Sequence, residues 1–354
     1  MAGKKPCVVI VGGGIAGGTV AKALQSHSDV VLIDPKEYFE ITWAEMRAKV
    51  EPTFADRTII NHKEYLTNVN LMTTTAVDIK SKEVMTKDGR LVPYDYLIIA
   101  TGHHDPYPVT KGDRLREFQA DNKKIKDSSC ILIVGGGPSG VELAGEIAVD
   151  YPDKKVTLVH KGPRLMEFVG PKASAKAMKW FKENGVDVLL DQKVDLEHSS
   201  DGVYSTTAGK TINADCIFIC TGKPFGSSWL RESILKDCVN QQGQLMVDEH
   251  LKVKGHSNIF AIGDITDVNE MKQGYIAQEH AALVAKNLQI LVKGGQESKL
   301  GSYKPAGAMA IVTLGRKNAV AQFPFATVSG CIPRMIKSKD LFVGMTRKKM
   351  GLKG

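Results

Sequence analysis

Two glycine clusters carry the first chemical signal in this chain. Gly12, Gly14 and Gly17 fall at G-x-G-x-x-G spacing, and Gly135, Gly137 and Gly140 repeat it. Each set follows a short apolar run (CVVIV at 7–11, ILIV at 131–134) and precedes a stretch with helical periodicity. Such a turn lets the backbone approach a pyrophosphate closely, and the N-terminus of the next helix aims N–H donors at it. Asp34 ends the following apolar run, 22 residues after Gly12. There it can accept hydrogen bonds from a ribose, with Lys36 counted in the same site. The second set extends to Gly135-x-Gly137-x-x-Gly140-x-Glu142-x-Ala144-x-Glu146. Where it should carry its own ribose acid, the chain reads Val159-His160-Lys161-Gly162-Pro163-Arg164. With no acid there, Lys161 and Arg164 suit a 2′-phosphate, which leans toward NADPH or toward acceptance of both nicotinamides.

Two dinucleotide sites imply a division of labour. With one holding a fixed flavin dinucleotide and the other a passing nicotinamide, hydride moves between stacked rings and the protein supplies alignment. Thr101-Gly102 and Thr221-Gly222 end matching apolar runs, and Gly263-Asp264 ends another. Asp264 suits the flavin's ribityl chain. A helix starting near Gln273 would point its positive end at the pyrimidine side of the ring, where negative charge grows on reduction. Glu142 is placed to help position the nicotinamide. His103-His104 follows the first Thr-Gly junction, so one of the two could reach cofactor or acceptor. Two thiols about five residues apart, as in disulfide-relay reductases, are missing. Cys216 and Cys220 lie along one strand and read as core thiols, so electrons should leave the flavin directly. No spacing of His and Cys suggests a metal site.

The elements that position these residues repeat. Gly12 to Gly102 spans 90 positions and Gly135 to Gly222 spans 87, with turn signals at similar places between. That internal repeat predicts an α/β fold of two Rossmann-like domains, the first discontinuous, plus a small C-terminal α+β piece. The expected division is 1–127 (FAD domain, first part), 128–239 (NAD(P)H domain), 240–304 (return to the FAD domain) and 305–354 (cap or interface piece with a basic tail). In the last, strands are expected at 310–314 and 320–325.

Composition narrows the function classes. The 354 residues suit about two domains, and 43% hydrophobic with 24% charged residues is ordinary for a globular protein. Seven basic residues and one acid after residue 333 supply six of the eight net positive charges. Basicity therefore belongs to the tail, which argues against specific nucleic-acid binding and for weak peripheral attraction to anionic lipid. No apolar run is long enough to cross a bilayer. The start, 1–24, resembles a signal peptide, but its glycines are needed by the fold, so it is expected to be retained. Six scattered cysteines, Cys331 included, point to a reducing, cytoplasmic setting.

On the two fingerprints, the Thr-Gly junctions and Gly263-Asp264, the chain resembles the flavoprotein oxidoreductases with two dinucleotide-binding domains. The runs 34–43 (DPKEYFEITW), 156–160 (VTLVH), 255–264 (GHSNIFAIGD) and 337–343 (KSKDLFV) are similar to the apoptosis-inducing-factor homologues of the ferroptosis suppressor type, in their plant-like branch. The resemblance implies non-covalent FAD, NADH or NADPH as donor, and a ubiquinone- or vitamin K-type quinone as acceptor, whose quinol would trap lipid radicals. It also implies that Phe342 packs near the flavin and lines the quinone entrance. Animal relatives begin Met-Gly and are myristoylated, whereas this chain begins Met1-Ala2-Gly3-Lys4, without that signal. A homodimer is within the expected range. Two rival readings stay open: a reductase for a soluble acceptor of the monodehydroascorbate or ferredoxin type, and a non-catalytic flavin redox sensor or death effector.

Overall fold

In the computed structural model, residues 5–354 are described except 105, 201, 306, 308, 331 and 332. The Met1–Lys4 start and Cys331 therefore lie outside the described residues. The first sheet is parallel, with strand order Ile259–Ala261, Tyr96–Ile99, Cys7–Val11, Asp29–Asp34, Val69–Thr73. Its outermost strand comes from far along the chain, pairing Ile259 with Leu97 and Ala261 with Ile99. The first domain is thus discontinuous, as the missing third fingerprint implied. The inner strands are short, largely apolar and buried, the pattern of strands covered on both faces, whereas the edge strand Val69–Thr73 is partly exposed. Helices Ile15–Leu24 and Gly274–Leu291 pack together beside them.

The second sheet repeats the plan in the order Val186–Leu189, Lys155–Val159, Cys130–Val134, Cys216–Ile219. Helix Pro138–Asp150 follows its glycine turn with proline in its first turn, where a missing N–H costs nothing. Each domain also carries a three-stranded antiparallel meander. The C-terminal piece is a third meander, Ala310–Leu314, Asn318–Phe323 and Ala326–Ser329, then a π-helical turn and helix Val343–Lys349. The run expected as one strand over 320–325 breaks into a hairpin, and its turn leaves Phe325 91% exposed.

The basic tail corrects an expectation. Val343 and Met350 are buried in the first domain's core cluster. Lys337 is itself buried, so it is not surface charge. Among the described residues, no helix is long and apolar enough to cross a membrane.

Candidate functional site

The first glycine turn is built for a ligand that comes close. Gly12 adopts φ +101°, and a Cβ there would lie 2.5 Å from the carbonyl oxygen of Ala100. At Gly17 a Cβ would lie 1.8 Å from the Gly12 oxygen, so only hydrogen lets the helix meet the turn. Gly14 differs: a Cβ would meet nothing within 4 Å, and this open side is where a pyrophosphate would approach. Asp34 is 3% exposed and receives the Gly13 N–H, the Lys36 N–H and the Lys36 ammonium, the last at 3.0 Å. Beside it His62 is buried, with Nδ1 2.9 Å from the Tyr65 hydroxyl and Nε2 unpartnered. Burial holds His62 down to about 4, so it is neutral at physiological pH.

These groups open onto a cavity of about 680 Å³. The first domain lines it with Gly12, Gly14, Asp34, Lys36, Thr101 and Gly102, and the returning segment adds Gly263, Asp264, Gly274 and Ala277. Thr101 Oγ1 is buried on this wall without a partner, an orphan that a polar ligand would satisfy. The second domain contributes Ser139, Leu143, Phe218, Ile219, Cys220 and Gly222. At the seam, the loop after Thr101 pairs with the loop after Gly222. Gly226 N–H donates to the Gly102 oxygen and His104 N–H to the Pro224 oxygen, both at 2.8 Å. His103 stacks on Phe225 at 4.8 Å with its Nδ1 3.2 Å from Asp264 Oδ2.

The second glycine turn copies the first with one change. Gly135 is at φ +119°, and a Cβ on Gly140 would lie 1.8 Å from the Gly135 oxygen. The middle N–H, of Gly136, is received at 3.1 Å by Nδ1 of His160, which occupies the place of Asp34. An imidazole therefore caps this turn where a carboxylate caps the other.

A family profile described as pyridine nucleotide-disulphide oxidoreductase matches residues 6–283. The chain belongs to that family. Ferroptosis suppressor protein 1 of Homo sapiens is 33% identical over 359 residues, covering 97% of this chain and 95% of its own. Apoptosis-inducing factor homolog B of Dictyostelium discoideum is 33% identical over 376 residues, covering 97% and 96%. Among solved structures, the sulfide:quinone oxidoreductase of Aquifex aeolicus superposes with TM-score 0.79 at 18% identity, over 98% of this chain and 92% of that one. NDH2 from Plasmodium falciparum in complex with NADH gives 0.77 at 16%, over 94% and 93%. This pyridine nucleotide-disulphide oxidoreductase is accordingly an FAD protein that works with NAD(P)H, a nicotinamide-dependent flavin oxidoreductase, and the glycine turns, Asp34 and the orphaned Thr101 hydroxyl fit that cofactor.

Other expected site residues take different places. Glu142 and Phe342 are not among the residues lining the cavity. Glu142 Oε1 receives the Lys337 ammonium at 2.6 Å and the Thr313 N–H at 3.0 Å, so it ties the second domain to the C-terminal piece. Leu341 and Phe342 are both left-handed, at φ +47° and +55°, a strained pair for residues with side chains. They are held by Trp43, whose indole N–H reaches the Leu341 oxygen at 2.7 Å and whose ring lies against Gly274 on the cavity wall. The Arg164 guanidinium closes its own loop on the carbonyls of Val169 at 2.5 Å and Glu167 at 2.7 Å, which takes it from a 2′-phosphate and leaves exposed Lys161. Cys220 lies past its strand end on the cavity wall rather than in the core, and burial pushes its thiol up to about 11. Among the described residues it is the one thiol there.

Sequence reading missed the ionic frame around the cavity. Arg114 holds Glu40 through two contacts (2.9 and 3.1 Å) and reaches Glu45 at 3.2 Å. Burial raises the Glu40 carboxyl despite that arginine. Arg47, from helix Glu45–Val50, pairs with Glu146 at 2.8 Å and donates to the Ser338 oxygen at 2.6 Å. Arg316 reaches Glu146 from the other side at 3.3 Å. Only the four-residue spacing of Glu142 and Glu146 hinted at partners on this face.

Proposed function

We propose that this protein is an NAD(P)H:quinone oxidoreductase whose quinol product traps lipid radicals and so suppresses ferroptosis. The observation that carries it is one cavity walled by both nucleotide-binding halves, with a single thiol of raised pKa and hence no dithiol relay among the described residues. When bound, FAD supplies the two-electron carrier between nicotinamide and acceptor. Asp34 and Lys36 would hold its adenosine end, Thr101 and Asp264 its middle, and the N-terminus of Gly274–Leu291 would favour negative charge on its ring. Ile219 and Leu143 give the second domain's wall of the cavity an apolar patch suited to a quinone. The name of ferroptosis suppressor protein 1 supports the ferroptosis role, and that of the sulfide:quinone oxidoreductase, alike in fold, the quinone.

An anaerobic test decides it. Mixed with NADPH or NADH, the yellow protein should bleach at ~450 nm, and a short-chain ubiquinone analogue should restore the colour. Bleaching without recovery would redirect the search to soluble acceptors. No bleaching with either nicotinamide would end the enzyme reading in favour of the redox sensor.

Donor preference is part of the proposal. Lys161→Ala should raise KM for NADPH by up to about fivefold and leave NADH unchanged, ~1 kcal/mol being the ceiling of an exposed ion pair. Arg164→Ala should not move the NADPH/NADH ratio. Equal shifts for both donors in Lys161→Ala would remove the 2′-phosphate contact.

Attachment to a membrane surface belongs here too. Met335, Ile336 and Met345 are exposed beside exposed Arg334, Lys339, Lys348 and Lys349, an apolar and basic mixture suited to an anionic bilayer surface. The protein should co-sediment with phosphatidylserine vesicles at low salt and not with neutral ones; equal recovery with both would dismiss the surface.

A further inference from the structure

Behind the Gly263-Asp264 turn lies a buried chain of titratable groups that the proposed reaction does not use. Gly263 stands at φ +76°, wedged between helices: a Cβ there would lie 3.2 Å from that of Ala16 and 3.5 Å from that of Ala277. The strand before it is paired through Ile262 N–H to the Ile99 oxygen, but the Gly263 N–H turns away from the sheet. Its acceptor is Nδ1 of His280, at 3.1 Å on a fully buried ring. An imidazole that accepts at Nδ1 must carry its proton at Nε2. Nε2 lies 2.8 Å from Glu270 Oε1, with the N–H off the direct line, and neither atom has another partner. The other Glu270 oxygen receives the Tyr303 hydroxyl at 2.6 Å, and the Tyr303 ring stands edge-on to the imidazole at 4.3 Å.

We propose that Tyr303, Glu270 and His280 form a positioning relay that fixes the Gly263-Asp264 turn in its FAD-receiving shape, and that a proton taken up by His280 releases the turn and the cofactor. A buried backbone N–H needs an acceptor, and a carboxylate behind a histidine selects the tautomer that provides one. Protonation converts Nδ1 into a donor, so two N–H groups then face each other at Gly263. The turn carries Asp264, on the cavity wall, and leads to helix Gly274–Leu291, whose Gly274 and Ala277 line the same wall. A shift at Gly263 therefore reaches the cofactor directly.

The surrounding charges set where this happens. Burial and Lys272 lower His280, Asp264 opposes them, and the outcome is about 4. Lys272 is itself lowered by burial, its ammonium lying on the Thr266 and Val268 oxygens at 2.8 and 2.9 Å. Glu270 is raised, burial leading. Asp267 faces Lys272, while Tyr275 and Glu279 face the chain from its own helix. His280 thus stays neutral, and the turn held, through the physiological range.

The inference rests on bound FAD and not on the acceptor, so failure of quinone reduction leaves it standing. The test is FAD retained by the holoprotein after ultrafiltration between pH 7 and 3.5, with far-ultraviolet circular dichroism at each pH to show that the chain is folded. Wild type should lose half its FAD near pH 4 while folded. His280→Asn keeps a non-titrating acceptor at the Nδ1 place, so it should hold FAD at pH 7 within about twofold of wild type and release it at least half a unit lower. His280→Leu should bind FAD about tenfold more weakly at pH 7, the scale of one lost buried hydrogen bond. Glu270→Gln, which lets the other tautomer form, should weaken it about threefold or more. If the leucine variant does not fold, the asparagine and glutamine variants carry the test. An unchanged release midpoint in His280→Asn would overturn the proposal and hand acid release to His62, which burial also holds to about 4. Wild-type affinity in a folded His280→Leu would overturn it equally.

Discussion

Gly14→Ala should fold normally and lose FAD, whereas Gly17→Ala, three residues on, should fail to fold. Both are single methyl additions to the same turn. At Gly17 the methyl would sit 1.8 Å from the Gly12 oxygen, and that oxygen is backbone, which cannot swing aside. Relief requires parting the helix from the turn, at a cost that the few kcal/mol of net stability in a domain cannot absorb. At Gly14 nothing stands within 4 Å, and the backbone, at φ −73° and ψ −159°, lies where any residue is comfortable. The alanine variant should therefore melt within a degree or two of the apo wild type. Its methyl would fill the side from which the pyrophosphate approaches, so FAD affinity should fall about 100-fold, ~2.7 kcal/mol. The second turn supplies an internal control. Gly137 is also open and extended, at φ −75° and ψ −174°. Gly137→Ala should keep FAD and raise KM for NAD(P)H by a similar factor, as read by flavin content and by anaerobic reduction rates. Full FAD retention in Gly14→Ala would mean that the cofactor does not approach along this face.

Arg47→Met should cost about 3–5 kcal/mol in chemical denaturation at pH 8, the range for removing one partner of a buried ion pair. Arg47 and Glu146 are 2% and 1% exposed. Burial already raises the Glu146 carboxyl against the pull of Arg47 and Arg316, with Asp150 adding to the rise. Without Arg47, Glu146 is left as a buried carboxylate with only Arg316 beside it, and its pKa rises further. The direction with pH follows: the carboxyl binds its proton more tightly in the folded variant than in the unfolded chain. Folding is then favoured below the unfolded value and loses that support as pH rises through the folded one. The deficit should shrink from pH 8 to pH 5. Arg47→Met with Glu146→Gln should recover most of it, since an amide in place of the carboxylate removes the stranded charge. A single variant with the same deficit at both pH values, unrelieved by the double one, would show that lost packing over Phe54, not charge, was at stake.

What was legible in the sequence and what was not divide along a physical line. The two glycine turns, Asp34, and the Gly263-Asp264 return are local: backbone constraints within a few residues dictate the residue types, so spacing reveals them. The spacing puts His160 where a ribose acid is expected, but its use as an acceptor for the Gly136 N–H needs the folded turn to be seen. The ionic frame is the opposite case. Arg47 meets Glu146 across 99 positions, Arg114 meets Glu40 across 74, and Lys337 meets Glu142 across 195. No periodicity links such residues, and Lys337 read as one more charge in a basic tail. Arg164 misled for a related reason: charge beside the expected ribose acid says nothing about carbonyls three to five residues on that claim it first.

The short ladder at the seam, where residues 102–104 run beside 224–226, joins the two nucleotide-binding halves at the place where a hinge would otherwise sit. Two reactants meeting freely would lose translational and rotational freedom on every encounter, a loss that alignment in advance removes from the barrier. Here the frame that aligns them is set once, when the chain folds, and each turnover inherits it.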